Sequence, residues 1–177
     1  MMRWILGVAF LIFLGCSSVQ VSTPYLLPAQ SRTAKIVVAA LNNYTDTPQA
    51  GMRAANIVEG ILHAKGFNVA SALLDAPADA ALHDKLDVAR KQGIAYVVTG
   101  GISEWRYKTG IDGEPAVSLQ LKMIDVKSQR TVWSATGSDN DWGNASIGTT
   151  AQSLIDTMIT LEFDHQQIAK HKTDALH

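Results

Sequence analysis

The chain has 177 residues, 47% of them hydrophobic and 18% charged, which suits one globular domain with a core and excludes a disordered chain. Its formal net charge is -1, and it becomes -2 once Arg3 leaves with an N-terminal signal, 14 basic side chains against 16 acidic, so no nucleic-acid partner is expected. A single cysteine rules out an intrachain disulfide framework and a metal site of clustered thiols.

Arg3 puts a positive charge ahead of a short apolar run over residues 4–14, and Gly15-Cys16 follows at once. The run falls short of the roughly 20 apolar residues that span a bilayer, so residues 1–15 read as a cleaved secretion signal. It resembles a bacterial lipobox, in which the cysteine after a small residue is acylated and becomes the new N-terminus. Gly15-Cys16 matches that pattern, whereas Phe13 and Leu14 depart from it. Cys16 is therefore the expected lipidation site, the other reading being an ordinary cysteine of a signal peptide. Several acyl chains make such an anchor stable. Ser17 after the cysteine, where Asp would retain a lipoprotein at the inner membrane, points by analogy to the outer membrane and its periplasmic leaflet. Residues 16–33 are rich in Ser, Thr, Pro and Gln, with Pro24 and Pro28 opposing helix, and read as a lipidated tether.

Regular structure is expected from there on, in a single α/β domain over residues 34–164. Residues 35–41 (KIVVAAL) are a continuous apolar run, as in a strand covered on both faces. Thr47-Pro48 can cap and start a helix, whose inward face is Ala54, Ile57, Val58, Ile61 and Leu62 and whose end is Gly66. A second strand is expected over residues 67–74, then a helix over 78–92 with Leu82, Leu86 and Ala89 inward and Gly93 at its end. Residues 94–107, 116–126 and 130–138 follow as three strands joined by short turns, an antiparallel meander. In its middle strand Val117, Leu119, Leu121 and Met123 alternate with Ser118, Gln120 and Lys122, one face dry and the other wet. A last helix over residues 146–163 turns Ile147, Ala151, Leu154, Met158 and Leu161 inward, before a polar tail at 165–177. The predicted order is βαβαβββα: one mixed sheet ending in an antiparallel meander and packed with helices.

Enzymatic signatures are weak. Gly100-Gly101 lies within a strand with no phosphate-binding context, so close packing or a bulge explains it better. The histidines at 63, 83, 165, 171 and 177 have no metal-ligand spacing, no G-x-S-x-G elbow is present, and neither a metal nor a cofactor is expected. Two N-x-S/T matches, at Asn43 and Asn144, are accidents in a chain with a bacterial lipoprotein signal. Asp112-Gly113 is a strong hairpin turn, and turn chemistry accounts for it, although a carboxylate at a loop tip, with Glu114 beside it, also suits a cationic ligand. Trp105 and Trp133 fill strand faces. Trp142, in SDNDWGN between the last strand and the last helix, either folds back onto its domain or stands at an interface or membrane boundary.

The run VVTGGISEWRYKTGIDGEPAVSLQLKMIDVKSQRTVWSATGSDNDWGN, followed by a TAQSLIDTMI helix, resembles the PelC family of outer-membrane lipoproteins of the Pel exopolysaccharide system. The element order is also similar to the N-terminal domain of TolB and to CsgG. The resemblance implies a non-enzymatic export component: subunits associating into a ring, a dodecamer, beneath the outer membrane and next to a PelB-type porin and scaffold. An acidic funnel through the ring would guide a cationic, partly de-N-acetylated polymer. Carried over by position, Cys16 is the lipid attachment site, Trp142 the membrane-facing tryptophan and Asp112 an acidic funnel residue. Glu114, Asp139 and Asp141 join the funnel on charge and location. Two other readings stand beside this one, a monomeric envelope lipoprotein that binds another periplasmic protein or a peptidoglycan fragment, and a hydrolase acting on envelope polymer.

Overall fold

The fold is described here from a computed structural model, over residues 18–22, 33–70, 73–77, 79–109, 113–141 and 145–174. In chain order its elements are β1 (Ser18–Ser22), β2 (Ile36–Val38), β3 (Asn42–Asn43), α1 (Ala50–Ala64), α2 (Leu82–Lys91), β4 (Tyr96–Tyr107), β5 (Pro115–Asp125), β6 (Thr131–Asn140) and α3 (Ile147–Asp174). One mixed sheet runs β1-β6-β5-β4-β2, with β3 also on β4. β2 and β3 lie parallel to β4, while β4, β5, β6 and β1 are antiparallel, so the expected α/β class and its meander are present.

Alternation along β5 divides the molecule into layers. Val117, Leu119, Leu121 and Met123 are buried in the main core, and Ser118, Gln120 and Lys122 are half-buried on the opposite face. α1 and α3 cover the first face. From α1 come Ala54, Val58, Ile61 and Leu62, and from α3 come Ala151, Leu154, Ile155 and Met158. Burying a leucine-sized side chain stabilises by about 1.5–3 kcal/mol, so this face holds most of the apolar gain. A smaller cluster on the other face joins Leu86 and Ala89 of α2 to Val37, Val97 and Ile124. Because α2 is short and sits toward β2 and β4, the polar ends of Ser118, Gln120 and Lys122 are left beside it without a helix over them. Trp105 and Trp133 are both 3% exposed and belong to the core, as their strand positions predict.

Local chemistry moves several boundaries. Thr47 does not cap α1; its hydroxyl donates to the Trp105 carbonyl at 2.6 Å, and the residue before the helix is Gln49, with φ 58°. Gly66, with φ 81°, does end it. Among the described residues, the strand expected over 67–74 is reduced to a parallel bridge of Val69 with Ile36, with Leu74 N–H donating to Val38 O at 2.8 Å. Asn68 and Ala70 within it have little preference for a pleated surface. α2 starts later than expected, since Pro77 directs a turn in which Ala80 N–H donates to Pro77 O at 3.0 Å. Leu82 is consequently 45% exposed instead of inward, and Lys85 is buried in its place. α3 opens on a reciprocal cap: Thr149 N–H donates to Ser146 Oγ, and Ser146 N–H to Thr149 Oγ1, both at 3.1 Å. It then continues to Asp174, into the stretch expected as a polar tail, where Gln, Ala and Lys favour helix and no Gly or Pro stops it.

β1 lies inside the stretch expected as a tether. It pairs antiparallel with β6, Ser18 opposite Ser138 and Ser22 opposite Ser134, and covers an edge that β6 would otherwise present unpaired.

Candidate functional site

Three of the acidic residues singled out in the sequence, Glu114, Asp139 and Asp141, lie at one end of the sheet. β5 and β6 pair Val117 with Asp139 and Ala116 with Asn140, and Asp141 N–H donates to Pro115 O at 3.1 Å. Glu114, one residue before Pro115, therefore sits at the same end as Asp139 and Asp141, where the β4–β5 hairpin and the β6–α3 connection leave the sheet. Lys108 N–H donates to Glu114 O at 2.7 Å, closing the neck of the hairpin, and Gly113 has φ 55°, the left-handed backbone that its place after Asp112 predicts. Tyr107 Oη accepts from Ile147 N–H at 3.4 Å, linking the end of β4 to the start of α3. Asp112, Trp142 and Cys16 lie outside the described residues.

These three carboxylates are not equivalent. Asp139, expected in a loop, is a residue of β6 and shares the face of Val117, the side that α3 covers. Burial pushes its carboxyl above the usual carboxylate range, the Asn140 backbone N–H pulls it down, and the Asp141 charge adds to the rise. Asp141 is exposed and Glu114 half-buried.

The face of the sheet away from α1 and α3 carries two clefts separated by Tyr44. Its 72% exposed ring rests on Gly101, where a Cβ would come within 2.7 Å of Tyr44 Cε2. Tyr44 N–H donates to Ile102 O at 2.9 Å and its hydroxyl accepts from Asn42 Nδ2 at 3.2 Å. Asn43 braces the loop: its Oδ1 accepts from Thr45 N–H at 3.0 Å, and its Nδ2 donates to Thr47 O at 2.8 Å. Beyond Tyr44 toward the acidic end, a cleft of about 510 Å³ is lined by Asp46, Ser103, Glu104 and Arg106, with Arg106 Nη2 paired to Glu104 Oε1 at 2.8 Å. Toward α2, a cleft of about 260 Å³ is lined by Leu82, Lys85, Gln120 and Lys122 over a floor of Gly100 and Gly101. Lys85 is 3% exposed, with Nζ 3.5 Å from Ala40 O, and burial lowers its pKa against the opposing pull of Asp79.

Catalytic features are sparse in this geometry. Among the described residues no group of three His, Cys, Asp or Glu side chains could hold a metal ion, and no helix is long and apolar enough to cross a membrane. His63 and His83 are exposed beside Glu59 and Asp84. The glycine pair is explained by close approach: a Cβ on Gly100 would lie 1.8 Å from Gln120 O, and Gly101 seats Tyr44.

A mixed sheet backed by helices mainly on one face defines the class of this protein, an α/β domain also found in the lipoprotein GNA1162 from Neisseria meningitidis. That likeness is one of fold, at 19% identity over 77% of this chain and 99% of the other, with TM-score 0.54. Stronger similarity is found to the PelC dodecamer from Paraburkholderia phytofirmans, at 35% identity over 83% of this chain and 97% of that one, with TM-score 0.70. A Leu-to-Met variant of the same dodecamer aligns at 36% identity over 82% and 96%, with TM-score 0.68. The chain belongs to the PelC family. No family profile and no curated protein matches it.

Sequence reasoning missed Tyr44, Asp46, Glu104 and Lys85. Glu104 was visible as the polar partner of Trp105 in a strand, whereas Tyr44 and Lys85 are brought into place only by the Gly101 seat and by the late start of α2.

Proposed function

We propose that this protein is a non-catalytic, lipid-anchored component of Pel polysaccharide export, assembling as a dodecameric ring at the periplasmic leaflet of the outer membrane beside a PelB-type porin and scaffold. The observation that carries this reading is the 35% identity, over 83% of the chain, to a PelC protein that is itself a dodecamer. Cys16 supplies the anchor and Trp142 faces the membrane. Asp112 with Glu114, Asp139 and Asp141 forms the acidic lining that guides the cationic polymer. Convergence of Glu114, Asp139 and Asp141 at one end of the sheet supports such a lining, since a cluster at one end of each subunit becomes a continuous rim when subunits repeat around an axis.

The electrostatics favour guidance over capture. Two unit charges about 10 Å apart in water interact by about 0.4 kcal/mol, less than RT, so one carboxylate cannot hold one ammonium group. Repeated around a ring, such contacts raise the local concentration of the polymer while leaving each one free to exchange. Native mass tests the assembly. The fragment of residues 17–177, measured by sedimentation with membrane-mimetic detergent and the porin partner present, is expected as a dodecamer; a monomer at high concentration under those conditions overturns the ring.

A further inference from the structure

The cleft beside α2 carries charge of the sign opposite to that of the acidic end. Among the described residues two lysines line it and no carboxylate does. Lys122 projects from β5 on the face away from α1 and α3, opposite Thr99 of β4 and Ser134 of β6, and among the described residues it makes no ion pair. Lys85 is engaged near Ala40 O and is under the influence of Asp79, so Lys122 is the cation available to a ligand.

The walls are amphipathic. Tyr44 forms one side and the exposed Leu82 another, with Gln120 supplying an amide between them. Tyr44 is an ordered aromatic surface, held by Gly101 beneath it and by the hydrogen bonds of Asn42 and Ile102, so little of its freedom remains to be lost on binding. At about 260 Å³ the space is smaller than the usual 300–1,000 Å³ of a site for a drug-sized ligand, which suits one sugar ring and not a chain. Exposed aromatic, amide and cation together match a ring with an apolar face, hydroxyls and one negative charge. A cationic sugar meets two lysines here, so this cleft is not a station for the polymer proposed above.

We propose that the cleft between Tyr44, Leu82 and Lys122 binds a carboxylated sugar, the ring lying on Tyr44 and its carboxylate meeting the Lys122 ammonium. A charge-assisted hydrogen bond of this kind changes affinity by about tenfold or more when its donor is removed. The full chain, purified in detergent, is titrated calorimetrically with sodium glucuronate, glucose, glucosamine and inorganic phosphate. Lys122 is monitored in parallel by mass spectrometry after amine acylation. Glucuronate is expected to bind with millimolar affinity and to shield Lys122 from acylation. Lys122→Gln should weaken it about tenfold and Tyr44→Ala severalfold, with unchanged Tm for the Gln variant. Absence of glucuronate binding overturns the proposal, as does glucosamine or glucose binding equally well. Phosphate matching glucuronate, with Tyr44→Ala silent, overturns the sugar and leaves a bare anion site. Undiminished binding by a folded Lys122→Gln protein removes Lys122 from the contact.

Discussion

Asp139 is held where its charge costs more than it does in the unfolded chain. Its carboxyl shares a sheet face with Val117 and is half-buried, and burial raises its pKa above the unfolded value of about 3.9. For an acid raised in the folded state, the stabilising contribution is complete below the unfolded pKa and is lost as pH rises through the folded one. Asp139→Asn, which cannot ionise, should therefore raise Tm at pH 7 and leave it unchanged near pH 3.5; thermal melts of the two proteins across that range check it. A Tm lowered at pH 7 but not near pH 3.5 would mean that the carboxylate is instead held by favourable bonds. The acidity of residues 139 and 141 is plain in the sequence, but their inequivalence is not. It arises because β6 runs on to Asn140, carrying one carboxylate toward the helices and leaving the next at the strand's end. Tyr44 is a similar case: nothing in N-Y-T marks a platform until Gly101, far along the chain, is seen beneath it.

The elements that sequence periodicity specified well are those with one strong apolar face. β5 and α3 are examples, because alternation and the 3.6-residue period each leave a single way to bury their side chains. α3 meets β6 at Gly137, where an added Cβ would lie 2.8 Å from Leu154 Cδ1 and 3.2 Å from Met158 Sδ. Gly137→Val should push α3 outward and cost about 1–3 kcal/mol, read as a lowered urea midpoint with an unchanged slope. A neutral result would show that Leu154 and Met158 repack freely. Elements with weak patterns were harder to read. α2 has few apolar residues, and its register was decided by the turn at Pro77. β1 has no core of its own to announce it and forms only because β6 offers an open edge, information held far along the chain in the pairing of Val21 with Ala135 and its neighbours.

At the scale of the whole molecule, the sheet has a chemically distinct end and two distinct faces. Helices α1 and α3 occupy one face, the aromatic and cationic cleft lies on the other, and the carboxylates mark the end where β6 finishes. β1 brings the N-terminal side of the chain to that same end, since its first residue, Ser18, pairs with Ser138. A chain spans at most about 3.6 Å per residue, so an acylated Cys16 can stand no farther than about 7 Å from Ser18. The proposed anchor would thus be a short mooring line and not a long leash, with the bilayer surface almost against the sheet end that leads to Trp142. Ten Gly/Ser residues inserted between Ser17 and Ser18 would let the domain drift by about 16–19 Å. Quenching of tryptophan fluorescence by brominated lipids should then fall while the fold is preserved; undiminished quenching would mean that Trp142 seats itself unaided. With so little slack, acylation at Cys16 would fix which way the domain points as well as where it resides, and a ring assembled from such subunits would have its polarity set before the first two of them meet.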